Sequence, residues 1–245
     1  MMDWRLEVHA SLPSTSDLCI AQAEAGTPAG LAVLAQRQTK GRGSRGRDWQ
    51  SPKGNLSLSI LLRPDEPVAA SGAWPLLIGL AVTDALAQLL PDPTQLQLKW
   101  PNDVLLRGRK ISGILIDIAA DPQGKLRWLV IGCGVNLATA PALPDRQTAC
   151  LQDEGIAPPS PEDFARVLLA ALGRWMHIYT TAAKADIHAA WLARAHPLGT
   201  ALRVAYGGKI LAGTFAGLSP EGFLLLRTDA GTQAISSGDV LLAPK

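Results

Sequence analysis

The chain has 245 residues, of which 47% are hydrophobic and 18% charged, and it carries a formal net charge of +2. This is too apolar for a disordered chain and too evenly charged for a general nucleic-acid binder. No uninterrupted apolar run reaches the ~18 residues of a membrane span, and MMDWRLEVHA carries Asp3 and Glu7 where a signal peptide would be basic and then apolar.

In chain order, Ser14–Thr15–Ser16–Asp17 predicts the capped start of a short helix that Gly26 ends. LAVLAQ, from Leu31 to Gln36, predicts a buried strand. A glycine-rich segment follows, and then NLSLSILL alternates leucine or isoleucine with serine, the period of a strand. Trp74 to Leu90 is apolar nearly all round and predicts a buried helix. Strands are predicted for QLQLK ending at Lys99, RKISGILIDIA from Arg109, and KLRWLVIGCGVNL from Lys125. The proline-rich stretch from Pro141 to Pro161 reads as a long surface connection. Ser160–Pro161–Glu162–Asp163 opens a helix whose apolar stripe is Phe164, Val167, Leu168, Ala171, Trp175 and Ile178. A second helix is predicted over 185–195. After His196–Pro197 the pattern becomes short strands with glycine-containing turns. This places one domain at residues 1–195 and a small β-barrel at 196–245.

QTKGRGSRGRDW, from Gln38 to Trp49, is the most specialised stretch. Five cations fall between Arg37 and Arg47, threaded by Gly41, Gly43 and Gly46. The G-x-G-x-x-G spacing is that of a dinucleotide fingerprint, but RDWQSPKGN leads into a strand and not the helix this fingerprint needs. A phosphate-binding Walker loop fails too, because Arg47–Asp48 stand where Lys and Ser/Thr would be. What remains is a backbone that approaches an anion closely, arginines that fork onto phosphate oxygens, and an aromatic for a purine face. Its like charges lack obvious internal partners, so the segment is expected to be mobile when empty.

KWPNDVLLRGRKISGILIDI, from Lys99 to Ile118, supplies a second constellation. Pro101 makes Trp100 extended, and Asn102 and Asp103 are placed at a turn. Asp103 is either a turn former or a carboxylate for Mg²⁺. Lys110 opens a strand, Gly113 permits close approach, and IGCGVN adds Gly132, Gly134 and Asn136 at a strand end. No Ser or Cys pairs with a histidine, so covalent catalysis has no support. Cys19, Cys133 and Cys150 are odd in number and far apart, which suits a reducing cytoplasm. His9, His177, His188 and His196 never fall at zinc-ligand spacing. Cations and backbone donors instead suit attack of a carboxylate on a nucleotide α-phosphate.

The ordered set STS at Ser14 to Ser16, QTKGRGSRGRDW, KWPND with RKISGILID, and IGCGVNL resembles the biotin protein ligases, and the resemblance spans roughly the whole chain. It implies an α+β catalytic core, a mixed β-sheet flanked by helices as in class II aminoacyl-tRNA synthetases, with a C-terminal barrel of the Src homology 3 type. It implies biotin and MgATP as substrates, biotinyl-5′-AMP as intermediate, and a lysine of a biotin carboxyl carrier domain of acetyl-CoA carboxylase as acceptor. The residues it carries over for biotin are Ser14, Thr15, Ser16, Gln38, Arg42, Gly43, Lys110, Gly113 and Leu115. For ATP and the adenylate they are Gly41, Gly43, Ser44, Arg45, Gly46, Arg47, Trp49, Asn102, Lys110 and Asn136. Lys110 and Arg42 are the implied catalytic residues, and Asp103 and Asn136 the implied Mg²⁺ ligands.

Two departures stand out. Many members have arginine where this chain has Ser44, which implies weaker retention of the adenylate. The few residues before Ser14 leave no room for the helix-turn-helix of larger members, so no DNA partner is expected. Lipoate or octanoyl transfer is the nearest alternative chemistry, and a binding module that never transfers is the alternative outside catalysis. Monomer and homodimer both stay open.

Overall fold

The computed structural model describes residues 2–144, 146–181 and 184–241; the ends of the two expected domains, Met1 and 242–245, lie outside them. The order of elements is β1 (Arg5–His9), α1 (Thr15–Glu24), β2 (Leu31–Ala35), β3 (Leu56–Leu62), α2 (Ala73–Ala87), β4 (Leu96–Lys99), β5 (Asp103–Leu106), β6 (Arg109–Ala120), β7 (Leu126–Val135), α3 (Pro161–Thr181) and α4 (Lys184–Leu192). Then come β8 (Ala201–Tyr206), β9 (Lys209–Leu218), β10 (Leu224–Thr228), β11 (Gly231–Ile235) and β12 (Asp239–Leu241).

Strands β1 to β7 form one seven-stranded sheet in the order β1-β2-β3-β7-β6-β5-β4. The β1–β2 pair is parallel and the other pairs are antiparallel, so the sheet is mixed. Side chains alternate between its faces. Leu56, Leu58, Ile60 and Leu62 of β3, with Leu129, Ile131, Cys133 and Val135 of β7, join the main core with α2, α3 and α4. Each such fully buried aliphatic side chain stabilises by about 1.5–3 kcal/mol. On the other face, Val33, Leu61, Trp128 and Val130 pack under Cys19 and Ala23 of α1. That face continues as Ser57, Ser59, Gly132 and Gly134, too small to build a second core layer, and it is this stretch that becomes the cleft.

The helices follow their sequence logic. Ser14 caps α1, its hydroxyl accepting from the Asp17 amide at 3.3 Å. Ser160 caps α3 in the same way, accepting from the Asp163 amide at 3.0 Å. Along α3, Phe164, Leu168 and Ala171 are buried while Val167, Trp175 and Ile178 pack at the core's edge. The stretch Val68–Ala87, containing α2, has the length and apolarity of a membrane span. Here that apolarity is explained by packing, since α2 lies between the sheet and α3 and α4 and is buried almost all round.

Three local expectations need correction. Strand β1 forms parallel to β2 in a segment where no strand is predicted. Asp103 is not in the turn: Pro101 and Asn102 make the turn, with a cis Trp100–Pro101 peptide, and Asp103 begins β5. The connection 141–161 is not confined to the surface, because Ala149, Cys150 and Leu151 are fully buried. Their backbone docks beside β6, with the Lys110 amide donating to Gln147 O and the Ala149 amide donating to Lys110 O, both at 2.9 Å.

The C-terminal segment is a five-stranded antiparallel sheet in the order β11-β10-β9-β8-β12. It sits directly on the first sheet's helical layer and turn. Trp100 Nε1 donates to Gly222 O at 3.1 Å, and a Cβ on Gly72 would collide with the Glu221 carbonyl. The three cysteines are all free and buried.

Candidate functional site

A cleft of about 470 Å³, measured with its open mouth, lies over the serine and glycine half-face of the first sheet. Thr15, Ser16 and Gln38 line one end, Arg42, Gly43, Ser44 and Trp49 come from the loop above, Asn102 comes from the turn before β5, and Lys110, Gly113 and Leu115 come from β6. The sequence motifs thus converge although they are far apart in the chain. Ser14, Gly41, Arg45, Gly46, Arg47, Asp103 and Asn136 do not line the cleft.

One end is neutral and hydrogen-bonded. Gln38 Oε1 accepts from the Thr15 amide at 2.9 Å and from Thr15 Oγ1 at 3.0 Å. Gln38 Nε2 donates to Ser51 Oγ at 2.9 Å. Ser59 Oγ lies 2.7 Å from Thr15 Oγ1 and 3.0 Å from Ser16 Oγ. Hydroxyls both donate and accept, so this group suits a neutral ligand head with donors and acceptors of its own. Ser57 and Ser59 were not foreseen. Their signal is a pair of serines in a strand buried on both faces, where alternation alone suggests a solvent side. Ser14 itself is taken up by the α1 cap.

The floor is glycine. A Cβ on Gly134 would collide with the Trp49 indole, one on Gly113 would lie 3.0 Å from both Trp49 Cζ3 and Lys110 Nζ, and one on Gly132 would lie 2.8 Å from Ser16 Oγ. The indole therefore rests on backbone, with Lys110 Nζ 5.6 Å from its centroid. Trp49 Nε1 is buried against Gly134 without a hydrogen-bond partner among the described residues.

The other end is ionic. Lys110 Nζ bonds Asp103 Oδ1, and Lys99 Nζ lies 3.3 Å from Asp103 Oδ2. Burial opposes the charge on Asp103, but the Lys110 and Lys99 ammoniums outweigh it and hold the carboxyl below the usual range. Burial lowers Lys110 below the ordinary lysine range, against the raising effect of Asp103. Asn102 braces this end, its Nδ2 donating to Ile114 O at 2.6 Å.

The expected Mg²⁺ ligands are otherwise engaged. Both Asp103 oxygens face lysine ammoniums. Asn136 Nδ2 donates to Ala149 O at 3.2 Å and its Oδ1 accepts from Asn55 Nδ2 at 3.5 Å. Among the described residues no group of three or more His, Cys, Asp or Glu is placed to hold a metal. This donor set does not fit a resident cation, because ammoniums already neutralise the carboxylate a cation would need.

The loop is also better tied than its charges suggest. The Gly43 amide donates to Arg47 O at 2.7 Å and the Trp49 amide to Gly41 O at 2.9 Å. Arg47 Nε and Nη2 donate to Ser44 O and Ser44 Oγ at 3.2 and 3.0 Å, so Ser44 anchors a neighbouring guanidinium. Arg42, which lines the cleft, pairs with Asp117 and lies 3.2 Å from Asp17. The expected lack of internal partners is thus not what the structure shows.

Comparison with known proteins agrees in both parts of the chain. Residues 9–136 match the biotin/lipoate A/B protein ligase family, and residues 198–242 match the biotin protein ligase C-terminal domain. The chain is 37% identical to the biotin–[acetyl-CoA-carboxylase] ligase of Paracoccus denitrificans, over 85% of this chain and 88% of that protein. It is 36% identical to the ligase of the same name from Mycobacterium tuberculosis, over 97% and 89% respectively. The biotin protein ligase from Aquifex aeolicus, solved in complex with biotin and ATP, superposes with a TM-score of 0.80 at 27% identity, over 98% of this chain and 99% of that one. With the glycine-floored cleft and its two unlike ends, these matches show that the chain belongs to the biotin/lipoate A/B protein ligase family, among the biotin protein ligases.

Proposed function

We propose that this chain activates biotin with MgATP and transfers it to a lysine of a biotin carboxyl carrier domain of acetyl-CoA carboxylase. The observation that carries this reading is the meeting of a neutral hydrogen-bonding end and a cationic end at Lys110, over a glycine floor on which the Trp49 indole rests. In the first step a biotin carboxylate oxygen bonds to the α-phosphorus of ATP and pyrophosphate leaves. In the second the acceptor amine bonds to the acyl carbon, a proton is lost from nitrogen, and AMP leaves.

The residues divide this work. Thr15, Ser16 and Gln38 hold the ureido head, with Ser59 bracing the two hydroxyls from beneath, and Leu115 and Gly113 flank its chain. Lys110 sits where carboxylate and α-phosphate meet, and its ammonium offsets the charge that grows as the new bond forms. It is held ready by Asp103, and the incoming anions compete for it. Trp49 offers its ring to adenine. Gly41, Gly43 and Gly46 let the loop backbone approach, Ser44, Arg45 and Arg47 serve the phosphate side, and Asn102 and Asn136 shape the pocket. Arg42, paired with Asp17 and Asp117, contributes from the lining of the cleft. Magnesium enters with the nucleotide as part of the substrate.

We divide the chain into a catalytic domain, 1–195, and a smaller domain, 196–245. The free buried cysteines support a reducing compartment such as the cytoplasm. The curated relatives favour biotin over lipoate. Incubation with ATP, biotin and a carrier domain, read by mass shift, tests the reading directly. Pyrophosphate exchange that runs with lipoate and not with biotin would replace it.

A further inference from the structure

Asp239 has no part in the chemistry above, yet it is the most heavily partnered carboxylate near the cleft. It lies on β12 of the C-terminal sheet with its side chain 16% exposed. Its Oδ2 is 3.3 Å from Arg45 Nη1, 3.3 Å from Arg47 Nη1 and 3.9 Å from Arg146 Nη2. Its Oδ1 is 3.6 Å from Lys99 Nζ. Lys99 also pairs with Asp103, which pairs with Lys110. Cations and carboxylates therefore alternate without a break from the C-terminal sheet to the lysine at the centre of the cleft.

Four cations gathered at one point repel one another, and the two loop arginines are long side chains open to water. Removing the carboxylate takes away the charge that draws both guanidiniums toward β12, although Arg47 keeps its bonds to Ser44. The backbone makes the same point independently. Arg45 is held at φ 61°, ψ 39°, a left-handed conformation that a residue with a Cβ adopts at a cost. Such a conformation persists where surrounding contacts over-determine it; at Arg45 these are the turn bonds from the Gly43 amide to Arg47 O and from the Arg47 amide to Ser44 O, together with the ion pair to Asp239.

We propose that Asp239 is a positioning residue: through it the C-terminal sheet fixes Arg45 and Arg47 over the nucleotide end of the cleft and, by way of Lys99 and Asp103, orients Lys110. This rests on the reading that the cleft takes ATP at that end. Asp239 touches neither substrate. It sets the geometry of groups that do, and it gives the C-terminal sheet a defined task in the first step.

The test is Asp239→Asn, which keeps shape and removes charge. The KM for ATP should rise by about tenfold or more, as misplaced binding groups produce. Biotin affinity should fall by a smaller factor, because biotin meets this end only through Lys110, and Asp239→Glu should recover part of the loss. An unchanged KM for ATP, or an equal loss of biotin affinity, overturns the proposal. A second measurement needs no activity at all. Trypsin cleavage after Arg45 and Arg47 in the ligand-free protein should be faster in Asp239→Asn than in the wild type. In the wild type it should also accelerate with ionic strength, as screening weakens the tether; cleavage insensitive to salt overturns the proposal even if the variant fails to fold. If the wild type forms no biotinyl-5′-AMP, the functional reading fails, while the cleavage results still decide whether Asp239 holds the loop.

Discussion

The two ends of the cleft are built on opposite principles. The neutral end rests on short side chains, Thr15, Ser16, Gln38 and Ser59, rooted in α1, β3 and the start of the loop and bonded to one another within 3.0 Å. The ionic end rests on long side chains, Lys99, Lys110, Arg45 and Arg47, whose tips are held by Asp103 and Asp239. A short rigid network discriminates by shape and hydrogen bonding, whereas long side chains on counter-ions keep their charge available and can change partner when a more highly charged anion arrives. One site therefore recognises a neutral head and processes a polyanion.

The largest effect should come from the point where the two ends meet. Lys110→Ala should cut adenylate formation by about 10²–10³-fold, measured by pyrophosphate exchange with biotin, with a lowered melt but a retained fold because Lys99 still pairs with the buried Asp103. A wild-type exchange rate would remove Lys110 from the chemistry. Gly134→Ala comes next. Its methyl must displace the Trp49 indole, and overpacking of this kind costs ~1–3 kcal/mol, read here as weaker binding of both substrates in calorimetry. Ser59→Ala separates the ends: a lost hydrogen bond of about 1 kcal/mol should raise the KM for biotin several-fold and leave that for ATP alone. If both constants move together, the ends are not independent.

Salt and pH sharpen the contrast from the other side. Added salt should raise the KM for ATP more than that for biotin, because biotin meets the ionic end only through its single carboxylate. Lys110 has its pKa lowered by burial, so its proton leaves earlier as pH rises. The alkaline fall of kcat/KM for ATP should therefore begin below the ordinary lysine value of about 10.4, and Lys110→Arg should flatten that limb. The smallest effect is structural. Ser14→Ala removes the α1 cap, which should cost ~1 kcal/mol of stability in denaturant titration without moving either KM.

How far the sequence announces this site depends on distance along the chain. The loop from Gln38 to Trp49, Lys110 and the glycines 113, 132 and 134 carry their meaning in local spacing, and they converge in the cleft or beside it. Ser59 does not, because a serine alternating with leucines looks solvent-facing until α1 is seen to cover only one end of that sheet face. Asp239 pairs with Arg47 across 192 residues of sequence, and nothing near either residue signals the other. Asp103 was open to two readings, and the structure gives it a third, since the turn ends one residue earlier and its carboxylate meets two ammoniums. The proline-rich connection hid its buried part for a similar reason: Ala149 and Cys150 are individually unremarkable residues whose burial is decided by the strand they dock on.

That docking has a consequence for timing. The main chain of Lys110 is gripped on both sides of the residue by Gln147 and Ala149, so the root of the side chain is stationary while its tip is free to trade Asp103 for a substrate oxygen. Such an exchange is a rotation about carbon–carbon bonds in a side chain only 14% exposed, so it is timed by the entry of the competing anion and needs no movement of the strand beneath it.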